Sequence, residues 1–147
     1  MALELALPPV RQVTSFSCGA AAATSVFRYL GRDSACECRV MALAGTTAEA
    51  GTTPGGLRRA AAFYRVPVEQ WEGASLEDVC EAVKAGRPVL LALQAWAERS
   101  GQDAASAVDY RQRWDDGHWV AMTAAGPRRL LFMDPSLGGA RASLGRN

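Results

Sequence analysis

The chain has 147 residues and a net charge of +1, with 49% hydrophobic and 21% charged residues. This balance is typical of a folded globular protein and excludes an intrinsically disordered chain. The near-zero net charge also argues against the strongly basic surface of a nucleic-acid-binding protein. A chain of this length predicts one domain, 1–147, with a hydrophobic core of its own.

The apolar runs are short. The longest clear run, Val89 to Leu93, is far below the roughly 20 residues that a membrane-spanning helix needs. The first nine residues lack a basic segment, carry Glu4 within their apolar stretch and end at two prolines, unlike a secretory signal. We therefore expect no membrane segment and a cytoplasmic location, where the four cysteines remain thiols.

Helices are predicted in the first part of the chain. Apolar residues recur at i, i+3, i+4 and i+7 from Ala23 to Leu30, which predicts a helix over 18–30 with Cys18 in its first turn. A second helix is predicted over 36–43. Thr53 and Pro54 are typical of an N-cap and the first helical position, and predict a helix to about residue 64. The segment 75–78 resembles a capping box and predicts a helix that runs to residue 85.

Strands are predicted in the second part of the chain. The run Val89–Leu93 is typical of a buried strand, and His118–Thr123 and Arg129–Met133 are predicted to form a hairpin. The hairpin turns at Gly126 and Pro127, and its pairing is expected to start near Ala124 with Arg129.

The order of these elements predicts the fold class. Because helices come first and strands second, we expect an α+β fold with an N-terminal helical half packed on a C-terminal antiparallel sheet. The polar stretch from Glu98 to Gly117 separates the first strand from the hairpin. It predicts either a solvated surface loop or a flap over a cleft, since it leads directly into His118.

Four residues suggest nucleophilic catalysis. A thiol at a helix N-terminus ionises readily, because backbone N–H groups and the helix dipole stabilise the thiolate at Cys18. His118 is the single histidine and begins a strand, where we expect a position at an edge or rim. Asp134 ends the paired strand and is expected to reach the His118 ring, completing a Cys-His-Asp triad. Gln12, six residues before Cys18, offers an amide donor for an oxyanion.

Each of these residues also has a structural alternative. A free cysteine is often a buried small hydrophobic residue, and a rim histidine often bonds a backbone carbonyl. Asp134 alone is compatible with a simple Asp-Pro turn, and Gln12 with a surface position. The pattern Cys36-x-Cys38 with Cys80 lacks the spacing of a zinc site, so we predict thiols on or near helices rather than metal ligands.

The residues in combination resemble a known family. Gln12, Cys18-Gly19, Gly117-His118-Trp119 and Asp134-Pro135 resemble, in this order, a papain-like cysteine peptidase. More narrowly, they resemble the bacteriocin-processing (double-glycine) peptidase family and its stand-alone relatives. The similarity extends to three further segments: Gly51-Thr52-Thr53-Pro54, Gly86-Arg87-Pro88-Val89 and Asp115-Asp116-Gly117-His118.

The resemblance implies a papain-like fold and a cysteine peptidase that works through a thioester. Cys18 is then the nucleophile, His118 the base, Asp134 the residue that orients it, and Gln12 part of the oxyanion hole. The substrate is a peptide or protein, with cleavage after a double glycine as the family expectation, and no metal or organic cofactor is required. The chain carries neither the membrane domain nor the ATPase of transporter-linked members. It ends sooner after Asp134 than stand-alone relatives do, which predicts a shortened C-terminus.

A second function remains open at this point. Some transporter-linked relatives lack the nucleophile and bind peptides without cleaving them. The alternative prediction is therefore a non-catalytic peptide-binding module on the same fold, and the presence of Cys18, His118 and Asp134 together argues against it.

Overall fold

Helices precede strands along the chain, as the order of the sequence patterns predicts. The computed structural model describes residues 3–94, 117–137 and 141–145. Most of the polar stretch that we predicted as a surface loop or flap lies outside these residues. The elements are α1 (Cys18–Tyr29), α2 (Glu37–Ala44), α3 (Pro54–Phe63), α4 (Leu76–Lys84), β1 (Val89–Gln94), β2 (Gly117–Ala125), β3 (Arg129–Met133) and β4 (Arg141–Gly145), with a 3₁₀ turn at Pro135–Leu137. The α+β class is confirmed.

The central helix is α1, whose residues 18–27 are all buried. One face, including Ala22 and Val26, packs with α4 and the sheet. The opposite face, including Ala23 and Phe27, packs with α2 and α3. A helix buried on both sides is largely apolar and, where neighbouring elements approach closely, built from small residues. This requirement explains the run of four alanines near its start.

N-cap residues determine where two of the other helices begin. The Thr53 hydroxyl accepts the Gly56 N–H at 3.0 Å, and Pro54 occupies the first helical position of α3. Ser75 and Asp78 form a reciprocal capping box at the start of α4, with bonds of 3.0 and 3.1 Å. Both caps are as predicted. No helix in the described ranges is long and apolar enough to cross a membrane.

The described strands form one antiparallel sheet in the order β1-β2-β3-β4. The predicted hairpin of β2 and β3 is present, but its predicted register is wrong. Ala124 pairs with Leu131 instead of Arg129. The reason is that the Gly126 N–H bonds the Arg129 carbonyl at 2.8 Å, so these two residues close the turn instead of starting the ladder. Strand β4 was not predicted.

Candidate active site

The thiol of Cys18 lies at the first residue of α1, as predicted. Ser17 precedes it but does not cap the helix, because its hydroxyl accepts the Thr14 N–H at 3.1 Å. No acidic side chain occupies the first turn either. The Gly19 N–H at this helix end is therefore left to bond Cys18, and the Trp119 N–H, from β2, reaches its Sγ at 3.5 Å.

The register of β2 and β3 brings His118 to Asp134. Ala121 pairs with Met133, so Asp134, the next residue, comes opposite Val120. Side chains two residues apart on a strand share a face, and diagonal neighbours across a ladder lie within reach of long side chains. His118 Nε2 and Asp134 Oδ1 are 2.7 Å apart. The predicted pairing of these two side chains is confirmed.

The position of His118 corrects one expectation. We predicted an edge or rim position, but β2 is an inner strand and the His118 residue is only 6% exposed. The start of β2 is covered because α1 packs against this strand and brings the Cys18 thiol to the imidazole. With Nε2 directed to Asp134, the ring presents Nδ1 to Cys18.

Cys18 and His118 perturb each other's ionisation in the sense expected of a thiolate–imidazolium pair. Burial acts to raise the pKa of the Cys18 thiol, but hydrogen bonds from His118 and the Trp119 N–H and the His118 charge outweigh it, so the pKa is lowered from 9.0. Burial acts to lower the pKa of His118, whereas its bonds to Asp134 and Cys18 and their charges raise it from 6.5 to about 9. Near neutral pH these directions favour an anionic sulfur beside a cationic ring.

Asp134 is itself held by Ser136, which was not predicted as a site residue. Its Oδ1 atom accepts the Ser136 hydroxyl at 2.7 Å and the Ser136 N–H at 2.9 Å, in addition to the bond with His118. Burial acts to raise the pKa of Asp134, but these bonds outweigh it and lower the pKa from 3.8. This contact could have been predicted, because Ser136 lies two residues after Asp134 and an Asp commonly bonds the backbone two residues later.

Gln12 lies on the segment that leads to Cys18. Its backbone N–H bonds the carbonyl of Pro135, the residue after Asp134, at 3.0 Å. Its side-chain Nε2 donates to the Thr14 carbonyl at 2.7 Å. An amide nitrogen carries two hydrogens, so one N–H of Gln12 remains for a bound group.

Trp119 contacts both Cys18 and the segment of Gly51 and Thr52. Its indole N–H donates to the Thr52 carbonyl at 2.9 Å. Gly19 lies against the same two side chains, because a Cβ atom built there would be 2.7 Å from Thr52 Cβ and 2.9 Å from Trp119 Cδ1. The position next to Cys18 therefore requires glycine for close packing.

The remaining cysteines lie on or beside α2 and α4. Cys36 and Cys38 are exposed at the start of α2, and Cys80 is buried in α4. In the part of the chain that the structure describes, no three His, Cys, Asp or Glu side chains are grouped to hold a metal ion.

Comparison with known proteins gives a fold match. No family model matches the chain. No curated protein matches it in sequence. The structure is similar to the crystal structure of a protein from Bacillus anthracis named a "putative C39-like peptidase", with a TM-score of 0.72 and 15% sequence identity over 100% of this chain and 89% of that chain. The chain thus has the fold of a C39-like peptidase, as its resemblance to the double-glycine peptidase family predicts.

Proposed function

We propose that the protein is a cysteine peptidase with a papain-like active site, which hydrolyses a peptide bond through Cys18, His118 and Asp134. The observation that carries this proposal is the grouping of Cys18, His118 and Asp134: His118 Nε2 bonds Asp134 Oδ1 at 2.7 Å, and the N–H of the next residue, Trp119, reaches Cys18 Sγ at 3.5 Å. The interaction between Cys18 and His118 lowers the pKa of the thiol and raises that of the ring. The fold likeness to a C39-like peptidase supports it.

In the first half of the reaction, the Cys18 thiolate attacks the carbonyl carbon of the substrate. The electron pair of the C=O bond moves to the oxygen, where the Cys18 N–H and the remaining N–H of Gln12 stabilise it. The His118 imidazolium gives its proton to the leaving nitrogen, the C–N bond breaks, and a thioester remains on Cys18. Asp134 keeps the ring oriented through Nε2.

In the second half, the neutral His118 ring takes a proton from water, and the resulting hydroxide attacks the thioester. The C–S bond breaks, so that sulfur leaves as the thiolate and the acid product departs. The thiolate–imidazolium pair is then restored, with no oxidant or metal consumed. A reduced thiol is needed throughout, which suits a cytoplasmic location.

The substrate that we propose is a leader peptide cleaved after a double glycine. This specificity rests on the family resemblance. Matched peptides with Gly-Gly or Ala-Ala before the scissile bond test it, and equal kcat/KM for the two would refute it.

Thiol labelling tests the mechanism and requires no peptide substrate. At pH 7, iodoacetamide is expected to modify Cys18, which is 7% exposed, before the exposed Cys36 and Cys38, because only a thiolate reacts rapidly. Mass spectrometry of the digested protein identifies the modified residue. Preferential labelling of Cys36 or Cys38 would contradict the ion pair.

The variant Cys18→Ala completes the test. We expect no hydrolysis, with a loss of stability of about 1 kcal/mol, since one small side chain is shortened. Hydrolysis by purified Cys18→Ala would refute the mechanism. Rapid labelling of Cys18 in a protein that binds but cleaves no peptide would favour the non-catalytic binding module.

A further inference from the structure

Glu37 is a buried carboxylate outside the triad. Among the described residues, two carboxylates are buried, Glu37 at 8% and Asp134 at 9% exposure. Asp134 bonds the catalytic imidazole, whereas none of the ion pairs in the described part of the chain includes Glu37. Burying a carboxylate costs free energy unless hydrogen bonds replace its water. The partners of Glu37 therefore indicate its role.

Both carboxylate oxygens of Glu37 accept a hydrogen bond from the same backbone N–H group. The Val13 N–H reaches Oε1 at 3.0 Å and Oε2 at 3.2 Å. Glu37 is the first residue of α2, so its backbone is fixed by a helix that packs against α1 and α3. The carboxylate thus ties the segment before the nucleophile to a rigid element 24 residues further along the chain.

Val13 follows Gln12 directly, and the two adjacent N–H groups have partners in different halves of the molecule. The Gln12 N–H bonds the Pro135 carbonyl on the side that carries Asp134, and the Val13 N–H bonds Glu37 on the helical side. Within this anchored segment, the Gln12 amide is oriented by its bond to Thr14. Releasing Glu37 frees one of the two backbone anchors that place this amide.

We propose that Glu37 is a positioning residue, whose carboxylate, bonded to the Val13 N–H, holds the Gln12 amide where it donates to the oxyanion. The inference rests on the proposed function, because an oxyanion forms only in acyl transfer. It assigns Glu37 an effect on the reacting carbonyl oxygen and none on the Cys18–His118 ion pair.

The test compares Glu37→Ala and Glu37→Gln with wild type and with Glu81→Ala, a control that removes an exposed carboxylate from α4. A displacement of about 1 Å can cost on the order of 100-fold in rate. We therefore expect Glu37→Ala to lower kcat by roughly 10- to 100-fold with little change in KM. Glu37→Gln retains an oxygen acceptor for the Val13 N–H and is expected to recover most of the rate. Glu81→Ala should match wild type.

Two further measurements distinguish a positioning role of Glu37 from a general disturbance of the active site. The rate at which iodoacetamide modifies Cys18 at pH 7 should stay within about twofold of wild type in Glu37→Ala, because alkylation of the thiolate forms no oxyanion. A peptide aldehyde adds reversibly to a thiol and places its oxygen where the oxyanion forms. Its affinity should fall in Glu37→Ala and at least as far in Gln12→Ala, and the double variant should lose no more than Gln12→Ala, because Glu37 acts only through Gln12.

The outcomes distinguish the two proposals. Wild type that neither cleaves peptides nor binds the aldehyde refutes the peptidase, and the role of Glu37 with it. Active wild type with an equally active Glu37→Ala refutes the role of Glu37 alone. The same role is refuted if the losses in Gln12→Ala and Glu37→Ala multiply in the double variant, or if Cys18 alkylation falls together with kcat.

Discussion

Replacing Asp134 with Asn removes a charge beside His118 while keeping an oxygen in the same place. Oδ1 of Asp134 accepts three hydrogen bonds, from His118 and from the N–H and hydroxyl of Ser136. The carbonyl oxygen of Asn is also an acceptor, with two lone pairs for these donors. The variant therefore keeps the shape of the side chain but removes its negative charge, which stabilises the imidazolium and fixes the tautomer of the neutral ring.

The direction and size of the change follow from the perturbed His118 pKa. His118 has a pKa of about 9 against an ordinary value of 6.5, an increase of about 9 − 6.5 = 2.5. Burial opposes this rise, so Asp134 and Cys18 together stabilise the imidazolium by more than the net increase, and one neighbouring opposite charge changes a pKa by about 1 to 3. Loss of the Asp134 anion disfavours the imidazolium, so the pKa must fall. We expect it to fall by one to two, which corresponds to about 1.4–2.7 kcal/mol.

Proton NMR measures this value directly, because His118 is the single histidine of the chain. The imidazole resonances should titrate near pH 9 in wild type and one to two pH units lower in Asp134→Asn. The alkaline limb of the kcat/KM profile should move to lower pH by the same amount, since the imidazolium protonates the leaving group. The acid limb, which reports ionisation of the Cys18 thiol, should move much less. An imidazole that still titrates near pH 9 in Asp134→Asn would refute the reasoning.

Three further substitutions test the surroundings of the triad. Gln12→Ala removes the proposed oxyanion donor and should lower kcat by roughly 10²–10³ with little change in KM, measured by steady-state hydrolysis of one peptide. Ser136→Ala removes a donor to Asp134 and should raise the pKa of that carboxyl. Because the pKa of Asp134 in the folded protein lies below its ordinary value of 3.8, its ionisation stabilises the fold above pH 3.8. This stabilisation is lost as the pH falls through the pKa of the folded state. The midpoint of acid unfolding, followed by circular dichroism, should therefore move to higher pH. Gly19→Ala places a methyl group 2.7 Å from Thr52 Cβ and should destabilise the protein by about 1–3 kcal/mol in urea unfolding.

Each of these substitutions has a control or a contradicting result. Gly55→Ala, in α3, has nothing closer to its added Cβ than an Arg59 nitrogen at 3.8 Å, so it should be neutral or stabilising. Equal losses in Gly19→Ala and Gly55→Ala would contradict the packing argument. An unchanged acid midpoint in Ser136→Ala would show that its hydroxyl does not stabilise the carboxylate. A raised KM with normal kcat in Gln12→Ala would place that side chain in substrate binding.

Features set by neighbouring residues were predictable from the sequence. The start of α1 at Cys18 follows from its apolar spacing, and the starts of α3 and α4 follow from Thr53 and Ser75 as caps. The pairing of His118 with Asp134 was also predictable, because a short hairpin brings those two strand ends together. In each case the determining residues lie within one turn, one helix or one hairpin.

Features set by distant segments were not predictable. The burial of His118 depends on α1, which begins 100 positions before it, and no local pattern records that packing. The contact of Glu37 with Val13 joins two segments whose sequences carry no shared signal. Strand β4 is five residues long, with Ala142 and Leu144 as its apolar members, and is established by pairing with β3.

Cys18 and His118 come from distant parts of the chain, 100 positions apart. The bond from Trp119 to the Cys18 sulfur spans 101 positions, and the side chain that lowers the pKa of this thiol, His118, belongs to the C-terminal sheet. During synthesis Cys18 emerges long before His118, and domains generally fold as units once their chain is available. A nascent chain that has not yet reached β2 therefore carries a thiol without its imidazole. The contacts that lower the pKa of Cys18 can therefore form only after β2 has been synthesised and has packed against α1.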